Sequence, residues 1–249
     1  MPTQQVLLLA VTRMRSGICV AGFTPEPDPV TGLRWVRPVR DFGTVQPGDM
    51  CDENECLFEC GDVIALRLIE PRPDPPHVED WLADFVYRRP TRLRRLEGDK
   101  RASFFPRYLD PAPLDVITRC RRSLCLVEPS QIGAHFSLDP YSHKYEARMS
   151  LAFKSPSKRG EPAEEMWHSG PQGITVTDLK WRALGKDWLN GTGGQLTLEN
   201  GSLYERLHVE ALYLALGLSR SWKGRCWPLV VGVHTVPNYD APADLSKAL

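Results

Sequence analysis

The sequence predicts a mainly β protein built from short antiparallel strands, and three observations support this. Short apolar runs alternate with turn residues along most of the chain. Proline supplies 22 of the 249 residues, against an average share of about 5%, which favours short strands over long helices. Two distant segments, Arg15–Phe23 and Trp222–Val233, share a basic residue, a glycine, a nearby cysteine and an apolar run. Each is typical of a hairpin that opens a buried strand.

Apolar runs define the strands of the first half. They are Gln5–Val11, Ile18–Phe23, Leu33–Val39 and Val63–Ile69, with a further extended piece at Phe85–Tyr87. The proline run Pro71–Pro76 cannot donate ladder hydrogen bonds, so we expect a stiff, extended connector there. A short helix is expected over Pro111–Cys120, because Asp110 suits an N-cap and proline suits a first helical turn.

The second half repeats this pattern. Its predicted strands are Leu124–Val127, Tyr145–Phe153, Ile174–Val176, His208–Leu218 and Leu229–Val236. Asp178 is a natural N-cap for a helix that places Trp181, Leu184 and Trp188 on one face, which we expect in the core. His208–Leu218 is apolar at nearly every position, as expected for a strand buried on both sides. Polar loops are predicted at Ser155–Glu165 and Leu189–Gly201.

Several short motifs, taken in order, resemble the dual OB-containing domain family of prokaryotes. They are Gly17-x-Cys19-x-x-Gly22, the Gly32–Val39 strand, Asp62-Val63-Ile64, the prolines 71, 73 and 75, Glu79-Asp80-Trp81-Leu82, Leu126–Pro129, Val176-Thr177-Asp178 with Trp181, and Leu218-Ser219 with Trp222, Gly224 and Cys226. The order holds from about Gln5 to Val236. The chain departs from the family pattern at Asp80, where asparagine is usual, and in the cysteine-containing loop after Met50.

The resemblance implies two tandem OB-like antiparallel β-barrels with a few short helices. The corresponding domains are residues 1–122, which include a basic connector, and residues 123–238, followed by a tail at 239–249. The resemblance further implies an association with prokaryotic conflict systems, and a binding or sensing role without a catalytic site.

Composition restricts the function classes. No apolar run approaches the roughly 20 residues of a membrane span, and the apolar segment Val6–Val11 lacks the basic start of a secretion signal. Seven cysteines, an odd number, argue against a disulfide framework and for a reducing compartment. We therefore expect a cytoplasmic protein that does not bind membranes.

The net charge is zero, but the charges are unevenly distributed. Asp49–Asp80 contains ten acidic and two basic residues, and Arg88–Arg122 contains eleven basic and four acidic residues. The arginine-rich block has the composition of a surface for a polyanion. Alternatively, the two blocks pair with each other or are simply solvated. The sequence leaves both interpretations open.

Basic and aromatic residues are interleaved at three places, as in OB barrels that stack bases and follow a phosphate backbone. The candidate nucleic-acid-binding residues are Arg13, Arg15, Arg34, Trp35, Arg37, Arg40, Lys180, Arg182, Trp222, Lys223 and Arg225. A tryptophan in a strand is more often a core residue. Trp35 and Trp222, each beside basic residues, are the two predicted to be exposed.

Metal and catalytic sites are less favoured. Cys51, Cys56 and Cys60, with His77, have thiolate and imidazole groups suited to zinc, but no second pair of cysteines follows at zinc-site spacing, so free thiols are preferred. His77, Glu79 and Asp80 cluster after the proline run and are candidates for metal binding or acid–base chemistry, but no phosphate loop or nucleophile elbow is present. The sequence therefore predicts a non-enzymatic protein without cofactors.

The hypothesis that follows is a module that binds or senses single-stranded DNA or RNA in a prokaryotic defence system, with a possible protein partner from the same operon. The alternative is a sensor of nucleotides or proteins without nucleic-acid affinity. A metal-dependent hydrolase ranks third.

Overall fold

The computed structural model describes residues 3–155, 165–190 and 192–242. The first sheet contains β1 (Gln4–Met14), β2 (Gly17–Phe23), β3 (Trp35–Val39), β4 (Asp62–Leu66), β5 (Leu68–Pro71), β6 (Asp80–Ala83) and β7 (Thr91–Arg95). The second contains β8 (Leu124–Val127), β9 (Gln131–Leu138), β10 (Tyr145–Ser155), β11 (Glu165–His168), β12 (Ile174–Val176), β13 (Gln195–Glu199), β14 (Ala211–Leu218) and β15 (Pro228–Val236). The helices are α1 (Gly98–Arg107), α2 (Leu114–Ile117), α3 (Leu179–Leu189) and α4 (Asn200–Leu207), with a 3₁₀ turn at Pro47–Met50.

The prediction of a mainly β protein with two OB-like barrels is confirmed. The first sheet has the order β5-β6-β3-β2-β1-β4-β7, and the second runs β13-β9-β10-β12-β15-β14-β8 with β11 beside β10. Most neighbours are antiparallel, while β3–β6 and β12–β15 are parallel pairs. The strands of the two sheets fall on either side of residue 122, which supports the domain boundary that we propose there. No helix among residues 3–155, 165–190 and 192–242 is long and apolar enough to span a membrane.

The two sheets pack against each other through an apolar layer. Alternate residues of β1 serve different cores: Val6, Leu8 and Val11 fill the first barrel, whereas Leu7 and Leu9 join the layer between the sheets. β14 behaves in the same way, with leucines facing the second barrel and Tyr213 and Ala215 facing the layer. Both strands are buried on both faces, as the near-continuous apolar run of β14 predicted.

A glycine permits the closest approach between the sheets. A Cβ atom at position 232 on β15 would lie 2.0 Å from the Leu9 carbonyl oxygen of β1. Two residues further on, His234 is fully buried and its Nε2 lies 2.9 Å from the same oxygen, to which it donates. Burial, followed by the charge of Arg101, lowers the pKa of His234 to about 3. The imidazole is therefore neutral at physiological pH.

Two buried carboxylates tie the halves together. Glu79 accepts hydrogen bonds from the Ser123 backbone N–H and hydroxyl, at 2.9 and 2.8 Å, and from the Leu124 N–H at 3.1 Å. Asp178 caps α3 by accepting from Trp181 N–H at 2.9 Å, as predicted, and its other oxygen accepts from Val233 N–H at 2.8 Å. Buried carboxylates require such donors, because burial without them costs several kcal/mol.

Helix α3 serves both barrels. Trp181 and Leu184 lie in the core of the second barrel, with Trp188 partly buried against it, which confirms the predicted apolar face. Leu179 and Ala183, on another face, lie in the core of the first barrel. The helix is therefore shared between the halves, which a division into independent units did not anticipate.

Several predicted elements differ in the structure. Val63–Ile69 is two strands, β4 and β5, rather than one. Phe85–Tyr87 is not extended, because the Asp84 carboxylate accepts from the N–H groups of Val86 and Tyr87, at 3.1 and 2.8 Å, and so forms a turn. The helix expected over Pro111–Cys120 is shorter in the structure, where only α2 is helical. Asp110, the expected N-cap, accepts from Ala112 N–H in a turn that precedes α2.

Other differences concern elements that the sequence left as loops. The sequence did not predict β9, β13, α1 or α4. His208, with a left-handed φ of 56°, caps the C-terminus of α4, so β14 begins only at Ala211 and not at His208. The predicted loop Ser155–Glu165 falls mostly outside the described residues. The first residue of the predicted tail lies in the core of the second barrel. Tyr239 is 2% exposed and packs edge-on against Trp181, with 5.7 Å between ring centroids.

We predict that Gly232→Ala destabilises the protein by about 3 kcal/mol, because the new methyl group forces β1 and β15 apart. Urea unfolding followed by tryptophan fluorescence measures this change. Gly201→Ala is the matched control, since a Cβ there meets nothing within 4 Å, and its effect should be neutral or slightly stabilising. Equal effects of the two substitutions would contradict the close contact between the sheets.

Candidate functional site

Two neighbouring depressions lie on one side of the molecule and share a wall. The large cleft, with a volume of about 920 Å³, lies between β1–β3 of the first sheet and β14–β15 of the second. The small groove, of about 380 Å³, lies between the β1–β2 turn, β10 and α3. Arg13, Met14, Arg15 and Thr177 line both. The two therefore form one continuous surface, which we call the track.

The track is strongly basic although the whole chain is neutral. The large cleft is lined by five arginines (Arg13, Arg15, Arg37, Arg40 and Arg220) and two aspartates (Asp74 and Asp80). The small groove adds three cations (Lys144, Arg148 and Arg182) and one carboxylate (Glu146). Eight cations thus line the track beside three carboxylates, and a fourth carboxylate, Asp49, forms an ion pair with Arg40 at 2.8 Å from outside the lining. The remaining excess of positive charge attracts anions.

Strand pairing builds the inner wall of the large cleft. The parallel register of β3 and β6 sets Arg37 opposite Asp80, and Arg37 Nε donates to Asp80 Oδ1 at 2.6 Å. Arg220 arrives from the loop between β14 and β15 and donates to Asp80 Oδ2 at 2.5 Å. A second nitrogen of Arg220 lies 3.5 Å from Asp74. Arg37 is 5% exposed, and its Nη2 is buried without a hydrogen-bond partner among the described residues.

The β1–β2 turn carries the most accessible cations of the track. Arg13 and Arg15 flank it and are exposed, and within residues 3–155, 165–190 and 192–242 neither side chain forms a hydrogen bond or ion pair. Burial and then the charge of Arg13 lower the pKa of Arg182. Burial, Arg182 and Arg13, in that order, lower the pKa of Lys186. A bound anion would relieve this repulsion between cations.

Six of the eleven predicted binding residues line the track. They are Arg13, Arg15, Arg37, Arg40, Arg182 and Trp222. Trp222 is 49% exposed, as the sequence predicted, and stands at the rim with Lys223 Nζ 4.9 Å from its ring centroid. Arg182 lies deeper than expected, 5% exposed, with its guanidinium 4.8 Å from the Tyr145 ring centroid.

The prediction that Trp35 is exposed is wrong. Trp35 is 4% exposed and packs edge-on against Phe23 at 4.6 Å between ring centroids, in the apolar layer between the sheets. The outer face of an isolated barrel would leave this indole in solvent. Here it is buried within the apolar cluster that also contains Phe105 of α1 and residues of the second sheet.

The other predicted residues lie away from the track. Lys180 is 8% exposed, and its Nζ forms a buried ion pair with the Glu59 carboxylate at 3.6 Å. Arg34 is half-buried near Glu26 and 5.5 Å from the Tyr108 ring centroid. Lys223 and Arg225 are exposed on the β14–β15 hairpin, but they do not line either depression.

Sequence reasoning missed Arg220, Lys144 and Arg148. The only available signal was the basic residue, Arg220, that follows the Leu218-Ser219 motif.

The arginine-rich block Arg88–Arg122 forms ion pairs with the acidic block in the structure. β4 pairs with β7, so Arg95 donates to Asp62 at 2.7 Å. Arg92 forms ion pairs with Asp52 and Asp62. The acidic block is therefore shown to pair with two residues of the basic block, Arg92 and Arg95.

The four weak metal candidates do not assemble. Cys60 is buried, Cys56 is exposed, and Cys51 is half-buried with its thiol donating to the Pro47 carbonyl. His77 is buried near Arg37 and Arg220, where burial first and then their charges lower its pKa to about 4. Within the described residues, no three histidine, cysteine or acidic side chains form a group able to hold a metal ion.

The curled, mainly antiparallel β-sheets define a protein of the OB class, a fold that commonly binds nucleic acids and typically lacks catalytic function. The chain belongs to the dual OB-containing domain family, whose profile matches residues 4–159. The match spans the first sheet and the start of the second. No curated protein and no solved structure matches the chain.

We predict opposite roles for the two tryptophans that the sequence grouped together. Trp35→Ala opens a cavity between the sheets and should cost about 3–5 kcal/mol of unfolding free energy. Trp222→Ala removes an exposed ring and should change it by less than about 0.5 kcal/mol. Urea unfolding monitored by circular dichroism compares the two. Similar losses for both would contradict the burial that separates them.

Proposed function

We propose that this protein binds single-stranded nucleic acid along the track, without catalysis. The observation that carries the proposal is the continuity of the large cleft and the small groove through Arg13 and Arg15. A flexible strand follows such a curved surface, whereas a rigid duplex does not bend into it without cost. Guanidinium groups suit phosphates because they present paired donors in one plane.

Aromatic groups at the two ends of the track support stacking. Trp222 stands at the rim of the large cleft, and Tyr145 lines the small groove beneath Arg182. Base–aromatic stacking tolerates every sequence, since each base has a π-face. These features favour binding without strong sequence preference, to DNA or RNA.

The biological setting that we propose is a prokaryotic defence system in the cytoplasm. The defence setting comes from the sequence resemblance alone, and seven free cysteines, all within the described residues, support a reducing compartment. A protein partner encoded in the same operon remains part of the proposal. Co-purification with the products of neighbouring genes tests this part.

A second candidate, binding of a free nucleotide, is favoured by one observation. The large cleft is enclosed enough to hold a small organic molecule, and its volume falls in the range of about 300–1,000 Å³ typical of such sites. Calorimetric titration with mononucleotides measures this directly. Tight mononucleotide binding without any strand binding would replace the first candidate by the second.

We predict that fluorescence anisotropy detects binding of a labelled oligonucleotide at low salt, and that affinity falls steeply as salt rises. Each phosphate contact contributes about −0.7 to the slope of log K against log salt for single strands. The double variant Arg13→Gln/Arg15→Gln should weaken binding at least tenfold and flatten the slope by about 1.4, because two contacts are lost.

Arg88→Gln/Arg89→Gln is the matched control for this experiment. These adjacent arginines are exposed and lie outside both depressions, and the change in charge is the same. Affinity and slope should stay within twofold of the original protein. Absence of binding at low salt, or equal losses of affinity in the two double variants, would refute the proposal that the strand binds along the track.

A further inference from the structure

The large cleft has a floor that phosphate binding does not explain. Its walls carry arginines, but its floor is apolar and is formed by Ala10, Ile18, Ala21, Leu124, Leu218 and Val231. Each of these residues is less than one-tenth exposed. A phosphate pressed onto such a floor would lose hydration without gaining donors. The floor therefore suits a flat apolar group.

Small side chains keep this floor open. Ala10 of β1 and Ala21 of β2 are direct partners in the antiparallel register, beside an irregularity between Leu8 and Ala10. Two neighbouring alanines leave a depression where larger strand residues would fill the space. The rest of the cleft floor comes from Ile18 of β2 and from β8, β14 and β15 of the second sheet. The compartment thus exists only where the two barrels meet.

A polar wall stands beside the apolar floor. Arg37, Asp80 and Arg220 form it, and the unpartnered Nη2 of Arg37 is a buried donor in a residue that lines the cleft. A nucleobase has this combination of needs: two apolar faces and an edge of donors and acceptors. Its own phosphate would remain at the rim, near Arg13, Arg15 or Arg40.

We propose that one nucleobase of the bound strand leaves the stack and inserts into the large cleft, on the Ala10–Ala21 floor, while the rest of the strand follows the track. This inference rests on the proposed function. Single strands make insertion inexpensive, because the base has no partner to abandon and little stacking to lose. One position of the strand is then held differently from the others.

The test is a scan with an abasic nucleotide. Oligothymidylates of about eight residues, within the range of sites on OB folds, carry a single abasic position that moves along the strand. Anisotropy should show a loss of at least tenfold at one position and less than threefold elsewhere. Uniform small losses at every position, with steep salt dependence intact, would overturn insertion and leave the proposed function standing.

A substitution completes the test. Ala10→Val/Ala21→Val fills the depression and should weaken the intact strand at least tenfold, while the strand with the sensitive abasic position binds the variant and the original protein equally. Loss of affinity for both strands alike would overturn insertion. If the variant fails to fold, as circular dichroism would reveal, the abasic scan decides alone.

Competition with thymidine monophosphate separates the possible sources of the base. Displacement of the strand by the mononucleotide, together with one sensitive abasic position, supports insertion. If the mononucleotide binds and no strand binds at low salt, both the proposed function and the insertion are overturned in favour of a free nucleotide as ligand.

Discussion

The close contact between β1 and β15 is the constraint on which the rest of the structure depends. Glycine at position 232 lets the β15 backbone approach the Leu9 carbonyl, and neutral His234 hydrogen-bonds the same oxygen. Because this contact is tight, Leu7 and Leu9 share an apolar layer with Tyr213 and Val231. The barrels are consequently fixed against each other, and a rigid cleft forms where the layer ends.

Buried carboxylates reinforce this arrangement, and they explain why acidic residues near the cleft do not cancel its charge. The Glu79 carboxylate accepts hydrogen bonds from Ser123 and Leu124, and the Asp178 carboxylate accepts them from backbone N–H groups of α3 and β15. Burial raises the pKa of Asp178 to about 6, against the opposing effect of its backbone donors. Among the described residues, Asp74 and Asp80 line the large cleft together with its arginines, and Asp49, outside the lining, forms an ion pair with Arg40 at 2.8 Å.

Local patterns allowed most strands to be predicted, and tertiary effects account for the failures. β1, β2 and β15 are apolar runs bounded by glycine or proline, so the sequence identifies them directly. α1 was missed because it begins at a glycine, contains a proline and has no apolar repeat: only Arg101 and Phe105, four positions apart, are buried within it. Trp35 was placed in solvent because no local signal reports that a second sheet covers a barrel's outer face.

The track was predictable in part because its two sides carry the same sequence pattern. Arg15 and Cys19 belong to the first hairpin and Trp222 to the second, and all three line the large cleft although about two hundred residues separate them. The pattern identifies both hairpins but gives no information on their distance. That distance is set by the layer between the sheets, which also brings in Arg220, a residue without a motif of its own. Charge along the chain was misleading for the same reason: β4 and β7 pair, and Asp62 on β4 forms ion pairs with Arg92 and Arg95 on β7. The two exposed arginines at the β1–β2 turn form no ion pair among the described residues, and the two depressions adjoin there.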